Sequence, residues 1–235
     1  MQTNNSWPMS VLEVTGDDAA SFLQGQLTCD VNRLDTTLSL GAWCNPKGRV
    51  IALFRIRKQD SGFALLLPED LEESVVKRLT MFRFRAKVDF STRRATAADF
   101  GDDEARIFED WQAQNLRAGV ASIATEQSEK FTPHMLNLDL LDAISLDKGC
   151  YTGQEVVART HYKGATRRRL MKFGCDGEAA SGDKVRLGDR DVGEVVNVIG
   201  GELLAVVPVD SATDGLEVNG VVLKNEQLPY LESDR

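Results

Sequence analysis

The stretch DKGCYTGQEVVART, Asp147 to Thr160, gathers the residues of this chain best suited to chemistry. Cys150 stands between a lysine–glycine pair and a segment that reads as a helix start. TGQE (Thr152–Glu155) fits the S/T-x-x-E capping box, in which Thr152 accepts the N–H of Glu155 and Glu155 reaches back to that of Thr152. The helix then runs through VVART, leaving Cys150 near the positive end of its dipole. Lys148 and Arg159 add positive charge close by in sequence. Positive potential favours thiolate over thiol, so this position is expected to lower the thiol pKa. Gly149 and Gly153 permit unusual dihedrals and close backbone approach on either side. The plainer alternative is a half-buried cysteine before an ordinary helix. No adjacent Cys or His completes a nucleophile pair, and His161 lies at the far end of the short helix.

Composition narrows what such a thiol can serve. The 235 residues are 42% hydrophobic and 27% charged, an ordinary globular balance for one large or two modest domains. No apolar run reaches the ~18 residues of a membrane span. The start, MQTNNSWPMSV, lacks the layout of a signal peptide, so a cytoplasmic protein is expected. The cysteines are Cys29, Cys44, Cys150 and Cys175, none in a C-x-x-C pair, and the histidines are His134 and His161. That pattern argues against a metal site and against a disulfide scaffold. Three of the four thiols are expected to pack as small hydrophobes. The net charge of -8 sets up a field that repels phosphate backbones, so direct nucleic-acid binding is not expected.

The elements that must hold the thiol are legible in pattern. SVLEVTG alternates as a strand, and GDDAASFLQGQL places Ala19, Phe22, Leu23 and Leu27 at helical spacing, with Thr15 or Asp17 as cap. LSLGAWC and RVIALFRIRK are strands joined by the turn NPKG, and DSG turns into FALLL. PEDLEESVVKRLTMF reads as a helix with Pro68 at its first position, and RAKVDFS as a further strand. Residues 10–91 are therefore an α+β unit on an antiparallel sheet. DDEARIFEDWQAQNLRAG, with Ile107, Trp111 and Leu116, predicts a helix ended by Gly119. SIATEQSEKFTPHM is irregular. From about Arg167, RLMKFGC, KVRL, VGEVVNVI, LLAVVPV and VVLKN are short strands with turns between them, DSATDGLEVNG included, which suggests a small barrel or sandwich.

The motif KGCYTGQEVVART resembles the K-G-C-Y-x-G-Q-E signature of the YgfZ family, folate-binding relatives of the glycine-cleavage aminomethyltransferase (GcvT). GDDAASFLQGQLTCDV, WCNPKGRVIALFRI, PHMLNLDLLDAISLDKGCY and RTHYKGATRRRL are similar to further family segments, and the resemblance spans most of residues 7–174. It implies an α+β fold of antiparallel-sheet lobes around a central folate channel, with a C-terminal small β-barrel. The implied domains are residues 1–165, with the second lobe reduced, and 166–235. It implies tetrahydrofolate or another reduced folate as ligand. It also implies support of iron–sulfur cluster assembly or repair, and of clients such as the radical enzyme that thiomethylates tRNA. Cys150 becomes the functional thiol and Lys148 its electrostatic helper. Gln154 shapes the turn, and Tyr151 and Arg159 are wall residues. Trp7 and Trp111 fall where the family places folate-contacting tryptophans, whose faces stack on flat rings; core aromatics are the plainer alternative.

Two departures stand out. The family often carries a glutamate at the position of Arg117, and an arginine offers donors only; it would instead meet the folate's carboxylate tail. The span between Ser91 and Trp111 is too short for a full second lobe, leaving a more open channel in a monomer or weak dimer. Rival readings are a one-carbon transferase with Asp30 as its carboxylate, an RNA-binding module built on KRLTMFRFRAKVDFSTRR, and a scaffold in which Cys150 is idle.

Overall fold

A strand's pleat sends successive side chains to opposite faces, and here both faces are covered. In the computed structural model, which describes residues 7–101, 108–164, 166–210 and 214–231, SVLEVTG forms β1 (Met9–Thr15). Leu12 and Val14 enter one core, Met9 and Val11 another. The meander follows as β2 (Ser39–Cys44), β3 (Val50–Gln59) and β4 (Gly62–Pro68). With β5 (Asp89–Arg94) it makes an antiparallel sheet ordered β2-β3-β4-β1-β5. Double burial accounts for the unbroken apolar run FALLL: Phe63, Leu65 and Leu67 serve the first core, and Leu66 with Ala64 the second.

The first core is roofed by α1 (Ala19–Gln24), through Phe22 and Leu23, and by α2 (Glu72–Arg83), through Val75 and Leu79. Three local expectations change. Neither Thr15 nor Asp17 caps α1; Asp18 occupies the N-cap, and its carboxylate accepts the N–H of Lys87 at 2.8 Å, tying the helix start to the approach of β5. Leu27 lies past α1 and bridges to Trp43, because the chain has already turned back along β2. Pro68 ends β4, and a 3-10 turn, Glu69–Leu71, precedes α2.

The opposite face is covered in two ways. Trp7, Phe100 and α3 (Phe108–Arg117) pack over β1 and β4; Ile107 lies outside the described residues. Over β2 and β3, Ala42, Cys44, Val50 and Leu53 meet Leu136, Leu138 and Ala143 and the outside of the second sheet. That sheet comprises β6 (Arg168–Gly174), β7 (Lys184–Leu187), β8 (Arg190–Ile199), β9 (Glu202–Pro208), β10 (Leu216–Val218), β11 (Val221–Val222) and β12 (Lys224–Glu226). Its order, β11-β10-β7-β8-β9-β6-β12, is that of a nearly closed barrel. Along β9, Leu203, Ala205 and Val207 fill the barrel while Leu204 and Val206 face the first sheet. LEV within DSATDGLEVNG is strand rather than turn, because Leu216 and Glu217 pair with β7. The described residues thus form two sheets, and those between β5 and residue 118 carry a 3-10 turn, Ala97–Phe100, and α3.

Candidate functional site

The cysteine turn is shaped by what it leans on. Its helix, α4, is Gln154–Lys163, with Gly153 as N-cap at φ 84° and no side-chain cap. The capping box expected of Thr152 and Glu155 therefore does not form. The reason is tertiary: a Cβ on Gly153 would lie 2.5 Å from the Asn45 carbonyl oxygen, and one on Gly48 would lie 2.9 Å from Val156. Two positive-φ glycines let the NPKG hairpin and the start of α4 touch backbone to backbone. Asn45 stiffens that hairpin, its Oδ1 accepting the N–H groups of Lys47 at 2.9 Å and Arg49 at 3.0 Å.

Lys148 fixes the turn from the other side. Its Nζ donates to the carbonyls of Leu27 at 2.8 Å and Cys29 at 2.7 Å, and lies 5.1 Å from the centre of the Tyr151 ring. Burial draws its pKa down to about 8, against the pull of nearby Cys29 and Asp30. The same segment is bound by Ser145, whose N–H donates to Thr28 O at 2.8 Å, and by the Thr28 hydroxyl, which donates to Ala143 O at 2.7 Å. The expected helper of Cys150 is thus committed to two carbonyls and a ring face: it positions the turn. Tyr151 is buried, with no partner for its hydroxyl among the described residues, and burial raises its pKa. It supports Lys148 and lines none of the cavities described below. Cys150 is exposed, whereas Cys29, Cys44 and Cys175 are buried. Burial pushes the Cys29 thiol up to about 11 and the Cys44 thiol up to about 12. On α4, Gln154 is half-buried and Arg159 exposed.

A cavity of about 490 Å³ lies between the first sheet, α3 and the barrel. Leu53, Phe54, Leu66, Trp111 and Ile199 give it apolar walls. Of its polar groups, Asn197 is spent on the Ser122 backbone, and Gln127 on the Ala124 N–H and the Val196 carbonyl. Arg55 is different. Its guanidinium donates to Asn115 Oδ1 and lies 6.0 Å over the Trp111 ring, with no carboxylate partner among the described residues. Burial lowers its pKa to about 10, which leaves it charged at neutral pH. A flat ring against Trp111 and an anionic tail against Arg55 would suit this wall, so these residues fit a folate.

The other expected site residues do not gather at this cavity. Trp7 is fully buried, stacked on Phe100 at 4.5 Å and 5.7 Å from Trp111, and does not line it. Arg117 sits outside the wall, its Nε donating to Glu202 at 2.7 Å. Cys150, Gln154 and Arg159 do not line it either. Asp30 borders a separate cavity of about 390 Å³, which shares Leu40 with the first. Its carboxylate accepts Gln24 Nε2 at 2.9 Å and the Asn32 N–H at 3.1 Å. Arg55 went unnoticed in sequence; the signal was a charge inside the apolar run VIALFRI.

Comparison with known proteins agrees with this architecture. Residues 167–229 match the model of the CAF17 C-terminal beta-barrel domain. Over 95% of its length the chain superposes on 84% of the glycine cleavage system aminomethyltransferase T from Bartonella henselae, with a TM-score of 0.66 at 14% identity. It is 27% identical to the tRNA-modifying protein YgfZ of Klebsiella pneumoniae, covering 97% of this chain and 86% of that one. An uncharacterized protein of Haemophilus influenzae is 31% identical, over 94% of this chain and 95% of its own. With the signature turn, the two-sheet architecture and these full-length relatives together, the chain belongs to the YgfZ-type family related to the glycine-cleavage aminomethyltransferase.

Proposed function

We propose that the protein is a folate-binding accessory factor that supports iron–sulfur enzymes, tRNA-modifying ones among them, through the thiol of Cys150. The observation that carries this reading is the contrast among the cysteines: three are buried, and Cys150 alone is offered to solvent. Its turn is held by the Gly48–Gly153 contact and by Lys148. A turn fixed from two sides presents a sulfur without letting it retreat into the core. Relatives named tRNA-modifying protein YgfZ support the link to tRNA modification. For the ligand, the cavity at Arg55 and Trp111 supports a reduced folate, with the Arg55 guanidinium taking its carboxylate and the apolar wall its ring. Bound there, a folate would supply a one-carbon carrier or fill the space between the sheets. Asp30 supports a second reading, one-carbon transfer, through its place on the adjoining cavity.

The test is genetic. In cells lacking the protein, Cys150→Ser is expected to fold and accumulate normally yet fail to restore thiomethylation of tRNA, measured by nucleoside mass spectrometry. Full restoration by the serine variant would end the thiol reading.

A further inference from the structure

A polar cleft of about 650 Å³ opens where the β2–β3 hairpin faces the barrel, and it shares no lining residue with the cavity proposed for folate. Arg49 lines it from the hairpin, and Arg168, the first residue of β6, lines it from the barrel. The acids in the lining are already paired. Glu194 holds Lys130 at 2.9 Å and Lys184 at 2.6 Å, and Asp191 holds Arg186 at 2.9 Å. Glu129 holds Arg78 and the Asn45 amide. Neither Arg49 nor Arg168 has a carboxylate partner among the described residues. Lys47 adds a further cation to the lining, exposed and in no ion pair among the described residues. The cleft is thus a local excess of positive charge on a chain whose net charge is -8.

Both guanidinium groups are tethered rather than free to swing. Each side chain is half-buried, and each is tied by one nitrogen to a backbone carbonyl: Arg49 Nη1 donates to Lys130 O, and Arg168 Nη2 to Val192 O at 2.6 Å. Their other N–H groups have no acceptor among the described residues, and the Nε of Arg168 is buried. A desolvated guanidinium donor without an acceptor costs free energy, which an anion in the cleft would offset. A planar carboxylate satisfies one guanidinium fork. Two forks lining one cleft from different sheets suit a tetrahedral anion, whose oxygens lie in more than one plane.

We propose that this cleft binds a phosphate group, held between Arg49 and Arg168 and bridging the hairpin to the barrel. A small phosphate ester and a polynucleotide backbone share that chemistry, and the test separates them. The probe is inorganic pyrophosphate, titrated calorimetrically into the full chain at low ionic strength. It is expected to bind one to one and to raise the melting temperature, since a ligand of the folded state alone stabilises it. Arg49→Gln and Arg168→Gln should each weaken binding by about tenfold or more. Arg117→Gln, which removes an arginine paired elsewhere, should leave it unchanged. Melting curves without ligand confirm that each variant is folded, and Arg49→Gln decides alone if Arg168→Gln is not. Glycerol phosphate displacing the probe where an oligouridylate without terminal phosphates does not would assign the site to a small ester. Displacement by that oligouridylate, dependent on both arginines, would assign it to a nucleic-acid backbone; either source sustains the phosphate site. The proposal is overturned if pyrophosphate gives no saturable heat and no rise in melting temperature, or if both arginine variants bind it as the unaltered chain does. It is also overturned if malonate, whose carboxylates are planar, displaces pyrophosphate as readily as inorganic phosphate does.

Discussion

Lys148 holds its proton against burial. Its pKa falls from 10.5 to about 8 on folding, with desolvation the leading cause. Between those values the unfolded chain keeps a proton that the folded chain has released, so stability rises with pH across that window and falls as pH drops through about 8. Urea unfolding at pH 7.5 and 9.5 should reveal this rise, and Lys148→Met should remove it. Lys148→Met should also loosen the turn, because the carbonyls of Leu27 and Cys29 lose their shared donor. Faster alkylation of Cys150 by iodoacetamide in the variant would report that loosening; an unchanged rate would mean the two carbonyls do not anchor the turn. At the residue scale, then, the signature lysine contributes geometry to the cysteine two positions on.

Among elements, the decisive contact is between the β2–β3 hairpin and the start of α4. Gly153→Ala meets two obstacles at once, a positive φ and a backbone oxygen at 2.5 Å from the new Cβ. It is expected to cost roughly 2–4 kcal/mol, the sum of left-handed strain and overpacking. Gly48→Ala also has a positive φ, but its Cβ meets the side chain of Val156 at 2.9 Å, which can shift more readily than a backbone oxygen. Denaturant midpoints should therefore fall further for Gly153→Ala than for Gly48→Ala. The reverse order would show that the hairpin, not the helix start, is the stiffer partner. This contact also explains why Thr152 does not cap: Gly153 takes the N-cap place, and the backbone it lies against sets the helix start.

Over the whole molecule, the two sheets and α3 enclose the cavity, and its ligand should report through one tryptophan. Trp111 is in the wall and Trp7 sealed behind it. Tetrahydrofolate is expected to quench tryptophan fluorescence, and Trp111→Phe to remove most of the quench, while Trp7→Phe leaves it. Arg55→Met should lower folate affinity by about tenfold or more, consistent with losing a buried charged hydrogen bond. Its melting temperature should hold or rise, since a desolvated guanidinium with a neutral partner is replaced by an apolar chain. Quenching that survives both Trp111→Phe and Arg55→Met would place the ligand elsewhere.

The amino-acid sequence by itself determined the local pieces. Alternation located β1, apolar runs between turn signals located β2 to β4, the spacing of Phe22 and Leu23 located α1, and turn chemistry located most barrel strands, because each depends on neighbours a few residues apart. The cysteine motif was legible for the same reason, down to the family it belongs to. Only the tertiary structure decided what those residues do. Lys148 bonds to carbonyls near residue 28, Gly153 leans on Asn45, and Trp7 vanishes beneath Phe100 and Trp111. Arg55 becomes a buried cation with no carboxylate partner among the described residues only because α3 and the barrel close over β3. Burial and close approach are sums over contacts between segments far apart in the chain, and no local pattern carries that sum.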